Sequence, residues 1–275
     1  MKPKIHQIKI DFNVTPEIKR YVYVYLIEGQ SCWLIDSGVD GTEKIVADYM
    51  SSIGRSLGDI RGVLLTHAHP DHIGSAAKLK ELTGCKVYAS AGERPWIEDV
   101  ELQFAERPIP NFHTLVNKSV PVDEVLKEGD RIALEDGLTI EVVETPGHSV
   151  DELSYKLVEE RCIFVGDAIP VVGYIPIWIN AQDSLNSLIK LKDLQSVVTF
   201  YPAWDVTYNS TQALQKIDFA IELINKIGQA VNACKTEANS LDDLVLRVCA
   251  IMDTPHFTQN PLFKRTVASF LDRLK

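Results

Sequence analysis

Three histidines and an aspartate fall within six residues of this chain, His67, His69, Asp71 and His72, in the run HAHPDH. Imidazole nitrogens and a carboxylate oxygen at such spacing are ligands that zinc, iron or manganese take. Two histidines two residues apart are by themselves an ordinary surface feature, so the context decides. Val63, Leu64, Leu65 and Thr66 read as a buried strand, which fixes its last residues tightly enough for His67 and His69 to turn their rings toward one point beyond its end. Behind them, Ile73, Ala76, Ala77 and Leu82 predict a helix stopped by Gly84, with Asp71 in its first turn, where a helix favours a carboxylate.

Other chemistry-bearing residues also stand at strand ends. Asp136-Gly137, between two apolar alternations, predicts a hairpin over 131–144. Thr145-Pro146-Gly147-His148-Ser149 then leaves its second strand sharply, which can aim His148 back across the sheet edge. A further hairpin over 154–165 ends at Gly166-Asp167, giving Asp167 the same kind of position. Upstream, Val22, Val24 and Leu26 alternate with Tyr21, Tyr23 and Tyr25, and Gly29-Gln30 predicts a two-residue type II′ turn into a strand over 31–35. Asp36-Ser37-Gly38, on its own an ordinary turn, leaves that strand. A helix over 42–53 and a strand over 85–89 complete an alternation of strand and helix that means an α/β layer with part of its sheet parallel.

Taken in order, Asp36-Ser37-Gly38, HAHPDH, Thr145–Ser149 and Val165-Gly166-Asp167 resemble the signature of the metallo-β-lactamase fold superfamily, over about residues 20–205. The resemblance implies a four-layer αβ/βα sandwich with the site at the edge where strand-end loops converge. It implies that His67, His69 and His148 hold one divalent cation, that Asp71, His72 and a bridging Asp167 hold a second, and that Asp36 lies behind the ligands as a hydrogen-bond acceptor. Zinc is the first expectation, with iron or manganese as alternatives. The chain departs from the family at Tyr201-Pro202-Ala203-Trp204-Asp205, where Trp204 stands in place of the usual last histidine ligand and cannot bind a metal through its ring nitrogen. Asp205 could substitute, giving a carboxylate-rich site better suited to iron or manganese. The alternatives are a water in that position or a site with one metal only.

The leading functional expectation is hydrolysis of a small ester, thioester, lactone or similar bond. A metal lowers the pKa of a coordinated water from about 15.7 to near 7 and polarises the scissile carbonyl. Asp71 is the expected catalytic residue, orienting the nucleophile and later passing a proton to the leaving group. Two other classes stand beside it: an oxidoreductase like the superfamily's mononuclear iron persulfide dioxygenases, and a protein that binds or senses metal without turnover.

Composition limits the alternatives. The 275 residues, 45% of them hydrophobic, suit one large domain with an appendage, and the expected division is a metallo-β-lactamase-like domain over 1–208 followed by a helical extension over 209–275. No apolar run reaches the roughly 18 residues needed to span a bilayer, and the N-terminus lacks the pattern of a signal peptide. Five scattered cysteines with no Cys-x-x-Cys pair point to reduced thiols and a cytoplasmic location. A net charge of −10 argues against nucleic acid as a partner, leaving a small-molecule substrate. The proline- and aromatic-rich stretch over 93–118 reads as a lid, a binding loop or plain surface, with His113 inside it. The helical tail offers a pocket cover, a homodimer contact or simple packing. Its His256 is a further candidate for the missing ligand.

Overall fold

The computed structural model describes residues 2–271 apart from Glu17. The chain runs β1 (Lys4–Asn13), β2 (Lys19–Glu28), β3 (Cys32–Ile35), α1 (Thr42–Ser52), β4 (Ile60–Leu64), α2 (Pro70–Ile73), α3 (Ala76–Thr83) and β5 (Lys86–Ser90). Three short helices follow, α4 (Arg94–Glu98), α5 (Val100–Glu106) and α6 (Phe112–Leu115), and then strands β6 (Glu124–Leu126), β7 (Arg131–Glu135), β8 (Leu138–Glu144), β9 (Leu153–Leu157) and β10 (Cys162–Gly166). Helix α7 (Ala181–Lys192), strands β11 (Thr199–Pro202) and β12 (Tyr208–Asn209), and helices α8 (Ser210–Cys234), α9 (Leu241–Met252) and α10 (Pro261–Ser269) complete it.

The strands form two six-stranded sheets, ordered β1-β2-β3-β4-β5-β6 and β12-β11-β10-β9-β8-β7. In the first, β3 through β6 are parallel, because α1 and the α2–α3 pair return the chain across the sheet. Alternation along each strand splits the side chains between two apolar layers. In β2, Val22, Val24 and Leu26 join Val46, Met50 and Leu79 beneath the outer helices. Tyr25 and Ile27 face the opposite way, into a layer between the sheets shared with Ile140, Tyr155 and Phe164. A third layer seals the outer face of the second sheet, where Ile163 and Val165 pack with α7 and with Ile217, Val248 and Val267 of the three C-terminal helices. This is the four-layer αβ/βα sandwich with C-terminal helices. All five cysteines are buried and unpaired.

Several local expectations are corrected. The helix after the HAHPDH run is broken at Gly74 and Ser75, where Gly74 N–H bonds to Gly38 O at 2.8 Å and the Ser75 hydroxyl to Val39 O at 2.7 Å. Leu82 is 51% exposed and Leu79 takes its place in the core. The β2–β3 connection is the three residues Gly29, Gln30 and Ser31, and Gly29 lacks the positive φ of a type II′ turn. Glu135 from the other sheet accepts the Gln30 N–H at 2.7 Å and sets that shape. Ser210 reads in the sequence as the N-cap of the first tail helix, but Asn209 caps α8 and accepts the Gln212 N–H. The last helix, expected over 262–274, is observed as Pro261–Ser269, and residues 272–274 of that expectation lie outside the described residues.

Candidate metal centre

β4 ends at Leu64, and the next three residues stay buried, so Thr66 and His67 are fully enclosed. His67 Nε2 lies 2.9 Å from His69 Nδ1, and His148 Nε2 lies 2.9 Å from the same atom. His69 Nδ1 carries at most one proton, so these approaches are not a full set of hydrogen bonds. They are lone pairs aimed at one point. The outer nitrogens fix this orientation. His148 Nδ1–H donates to Ile177 O at 3.0 Å. His72 Nδ1–H donates to Asp36 Oδ2 at 2.8 Å. His67 Nδ1–H reaches Thr66 Oγ1 at 3.0 Å, and the Thr66 hydroxyl passes on to Asp36. One carboxylate thus orients two candidate ligands. Asp36 does so from φ +60°, a conformation costly for a non-glycine residue and held here by its buried bonds to Thr66 N–H and Leu64 O.

Asp167 joins the two halves of the cluster. Its Oδ2 is 3.3 Å from His148 Nε2, and its Oδ1 is 3.4 Å from His72 Nε2. Asp71 Oδ2 sits 3.5 Å from that same His72 nitrogen. Ligand atoms of His67, His69 and His148 lie within 4.8 Å of one another, as do those of His67, His72 and Asp167. Glycines make the two strand exits possible. Gly147, at φ +127°, lies against Ser184, where a Cβ would come within 2.2 Å of the backbone nitrogen. Gly166, at φ +48°, lets Asp167 turn in beneath Glu152, whose Oε1 accepts the Asp167 N–H at 2.8 Å.

Burial and neighbouring charge set the protonation states. Burial, with the neighbouring imidazoles, drives His67 and His69 well below the ordinary histidine value, and burial brings His148 down to about 4. All three are therefore neutral donors. Burial acts against protonated His72 too, but Asp167, Asp36 and Asp71 outweigh it and raise that histidine. Burial raises Asp71, with the Asp167 charge adding to it, while His72 and His148 hold Asp167 below the ordinary carboxylate range against its own burial.

The metallo-beta-lactamase superfamily model matches residues 18–203, two-thirds of the sequence and every residue of this cluster. The chain belongs to that superfamily. Among its relatives are hydroxyacylglutathione hydrolases of Hyphomonas neptunium, 27% identical over 60% of this chain and 56% of the relative, and of Rhodopseudomonas palustris strain BisA53, 27% identical over 62% and 58%. The chain thus spans a little over half the length of these curated relatives. A beta-lactamase-like protein 2 homolog of Caenorhabditis elegans is 27% identical over 72% of this chain and 62% of the relative. In three dimensions, a metallo-beta-lactamase family protein of Thermus thermophilus superposes with a TM-score of 0.77 at 20% identity, over 98% of this chain and 92% of that one. That likeness shows the fold, C-terminal helices included.

Neither ligand group found among the described residues includes Trp204. Trp204 packs edge-on against Phe12 and beside Tyr21, ring centroids 6.2 Å away in each case, with its carbonyl held by the Tyr21 hydroxyl at 2.8 Å. Its indole nitrogen is buried without a hydrogen-bond partner, near enough to Asp167 to help keep that carboxylate ionised. Asp205 stands outside both ligand groups found among the described residues. Its Oδ1 accepts from Val206 N–H at 2.8 Å, and its Oδ2 accepts from the Tyr208 hydroxyl at 2.5 Å and from Lys216 at 3.1 Å. His113 pairs with Glu101 at 3.0 Å on an exposed surface, and the exposed His256 packs on Phe257, so neither joins the cluster. Thr66, Glu152 and Arg107 are the residues that motif reading passed over. Glu152, four residues after His148 and fully buried, carried no signal beyond its proximity in sequence.

Proposed function

We propose that the protein is a metal-dependent hydrolase of a small ester or thioester. One observation carries this reading: three neutral imidazoles, those of His67 and His148 anchored through their outer nitrogens, converge on one point, and Asp167 spans from them to His72. The donor set fits divalent cations, since His72 Nε2 and Asp167 Oδ1 are buried polar atoms with no hydrogen-bond partner, a state that a bound cation would relieve. In this reading His67, His69 and His148 hold one cation, and Asp71, His72 and Asp167 can hold a second, with zinc ahead of iron or manganese. A bound cation would supply Lewis-acid polarisation of a carbonyl and acidify water.

The chain's own residues do the rest. Asp71, 16% exposed on its side chain and raised by burial, is placed to accept and return a proton within the cluster. Asp36 and Thr66 keep the His72 and His67 imidazoles from turning. The hydroxyacylglutathione hydrolases among the relatives support a thioester as substrate. The test is hydrolysis of a hydroxyacylglutathione thioester by chelator-treated protein before and after metal is restored. Activity that needs the metal supports the reading.

A second reading follows from Trp204. With an indole at the last ligand position, the cluster would hold a single cation, and loaded with iron it would serve as an oxidoreductase like the persulfide dioxygenases. Iron at one equivalent per chain with no thioester hydrolysis would favour it. No described helix is long and apolar enough to cross a membrane.

A further inference from the structure

A cavity of about 460 Å³ opens beside His69, a size suited to a small molecule. Trp96, Leu102, Val150 and Ile179 give it apolar walls, and Arg107 and Arg265 bring two guanidinium groups to it from segments far apart in sequence. Arg107 follows α5 in the proline-rich stretch, and Arg265 projects from α10. Among the described residues neither guanidinium has a hydrogen bond or ion pair. The two carboxylates that line the cavity are bonded elsewhere. Glu93 accepts the N–H groups of Ala68 at 2.9 Å and Asp151 at 3.0 Å, and Glu106 accepts the Trp96 indole at 2.7 Å. Burial, with repulsion from Arg265, lowers Arg107 to about 10 although Asp71, Asp167 and Glu93 pull the other way.

Half-buried like charges with no carboxylate in direct contact are unfavourable, and such groups beside a cavity mark a place where a ligand can supply the opposite charge. Guanidinium forks match the planar geometry of carboxylate and the oxygens of phosphate. We propose that Arg107 and Arg265 clamp an anionic group, carboxylate or phosphate, on the substrate, so that the substrate is a small acyl compound with a negative charge joined to an apolar segment. This rests on the hydrolase reading, because His69 joins the cavity to the metal cluster. It also gives the C-terminal helices a part in substrate recognition.

The test is direct binding to the full-length, metal-loaded protein, read by calorimetry. Phenylphosphonate and hippurate serve as phosphonate and carboxylate probes, and hippuramide as the uncharged partner of hippurate. At least one anion should bind about tenfold or more tightly than hippuramide, and that advantage should fall by about tenfold in Arg107→Ala and in Arg265→Ala. Arg265→Lys should restore part of it, and guards against a loss caused by misfolding. The better anion identifies the group recognised. Equal binding of hippuramide and both anions to the wild type would overturn the clamp. So would anion binding that survives both alanine substitutions, as coordination to the cations alone would give. Because binding is read without turnover, a protein that hydrolyses nothing can still show the clamp, and an active hydrolase can still lack it.

Discussion

Asp36 Oδ2 and His72 Nδ1, 36 residues apart in sequence, meet at 2.8 Å in a pocket closed to solvent. That bond fixes His72 with its Nε2 toward Asp71 and Asp167, and the same carboxylate steadies His67 through Thr66. Asp36→Ala should therefore weaken metal affinity by about 10- to 100-fold while leaving every direct ligand in place. Competition with a chelator of known affinity measures this. An affinity equal to the wild type would mean that the ligands need no anchoring from behind.

Asp71 is assigned a proton-transfer role in addition to its place beside His72. Asp71→Asn keeps the shape and removes the titratable group, so kcat should fall by roughly 10²-fold or more with the metal at His67, His69 and His148 retained. Unchanged turnover in that variant would remove Asp71 from the chemistry.

Trp204 leaves its indole nitrogen without a partner close to Asp167. Trp204→His would place a ligand where the superfamily usually has one, and the second cation should then bind tens-fold more tightly, on the order of what one added ligand contributes. Titration with manganese would show a second binding step moved to lower concentration. No such movement would mean that the turn holds residue 204 away from the cluster.

Asp205 is tied to Tyr208 and Lys216, so Asp205→Ala should leave metal content unchanged and cost about 1–3 kcal/mol of stability, the usual penalty for stranding a buried hydroxyl and a charge. The deficit should depend on pH. Burial raises the Asp205 carboxyl, but the Tyr208 hydroxyl, Val206 N–H and Lys216 outweigh it and hold it below the ordinary value. A carboxyl lowered by folding stabilises above its unfolded pKa of about 3.9 and loses that contribution as pH falls through the lower folded value. Urea unfolding should show a gap between variant and wild type that is full at pH 7 and shrinks below about pH 4. Loss of one metal equivalent in Asp205→Ala would instead make Asp205 a ligand.

The parts of this site that a sequence displays are those whose backbone context is local. HAHPDH follows its strand directly, and Gly147 and Gly166 announce the exits that aim His148 and Asp167. The break at Gly74 and Ser75 was not legible, because its partners Gly38 and Val39 come from another segment. Asp205 illustrates the same limit. Its place beside the expected ligand position made it look available, whereas Lys216, one helical segment later, and Tyr208 claim it. The pairing of Arg107 with Arg265 depends on how α10 folds back, which apolar periodicity does not encode.

The most direct test of the central claim is the metal content of the wild type and of His148→Ala, both purified without added metal and measured by elemental analysis. His148 draws two elements together, reaching His69 Nδ1 at 2.9 Å and Asp167 Oδ2 at 3.3 Å, so its loss should empty the first site and weaken the bridge to the second. Cys85→Ser, a buried thiol outside both ligand groups, serves as the control. The account predicts one to two equivalents of a divalent transition metal in the wild type and the control, and close to none in His148→Ala. Equal metal in all three proteins, or none in any of them even after incubation with zinc or manganese, would contradict it.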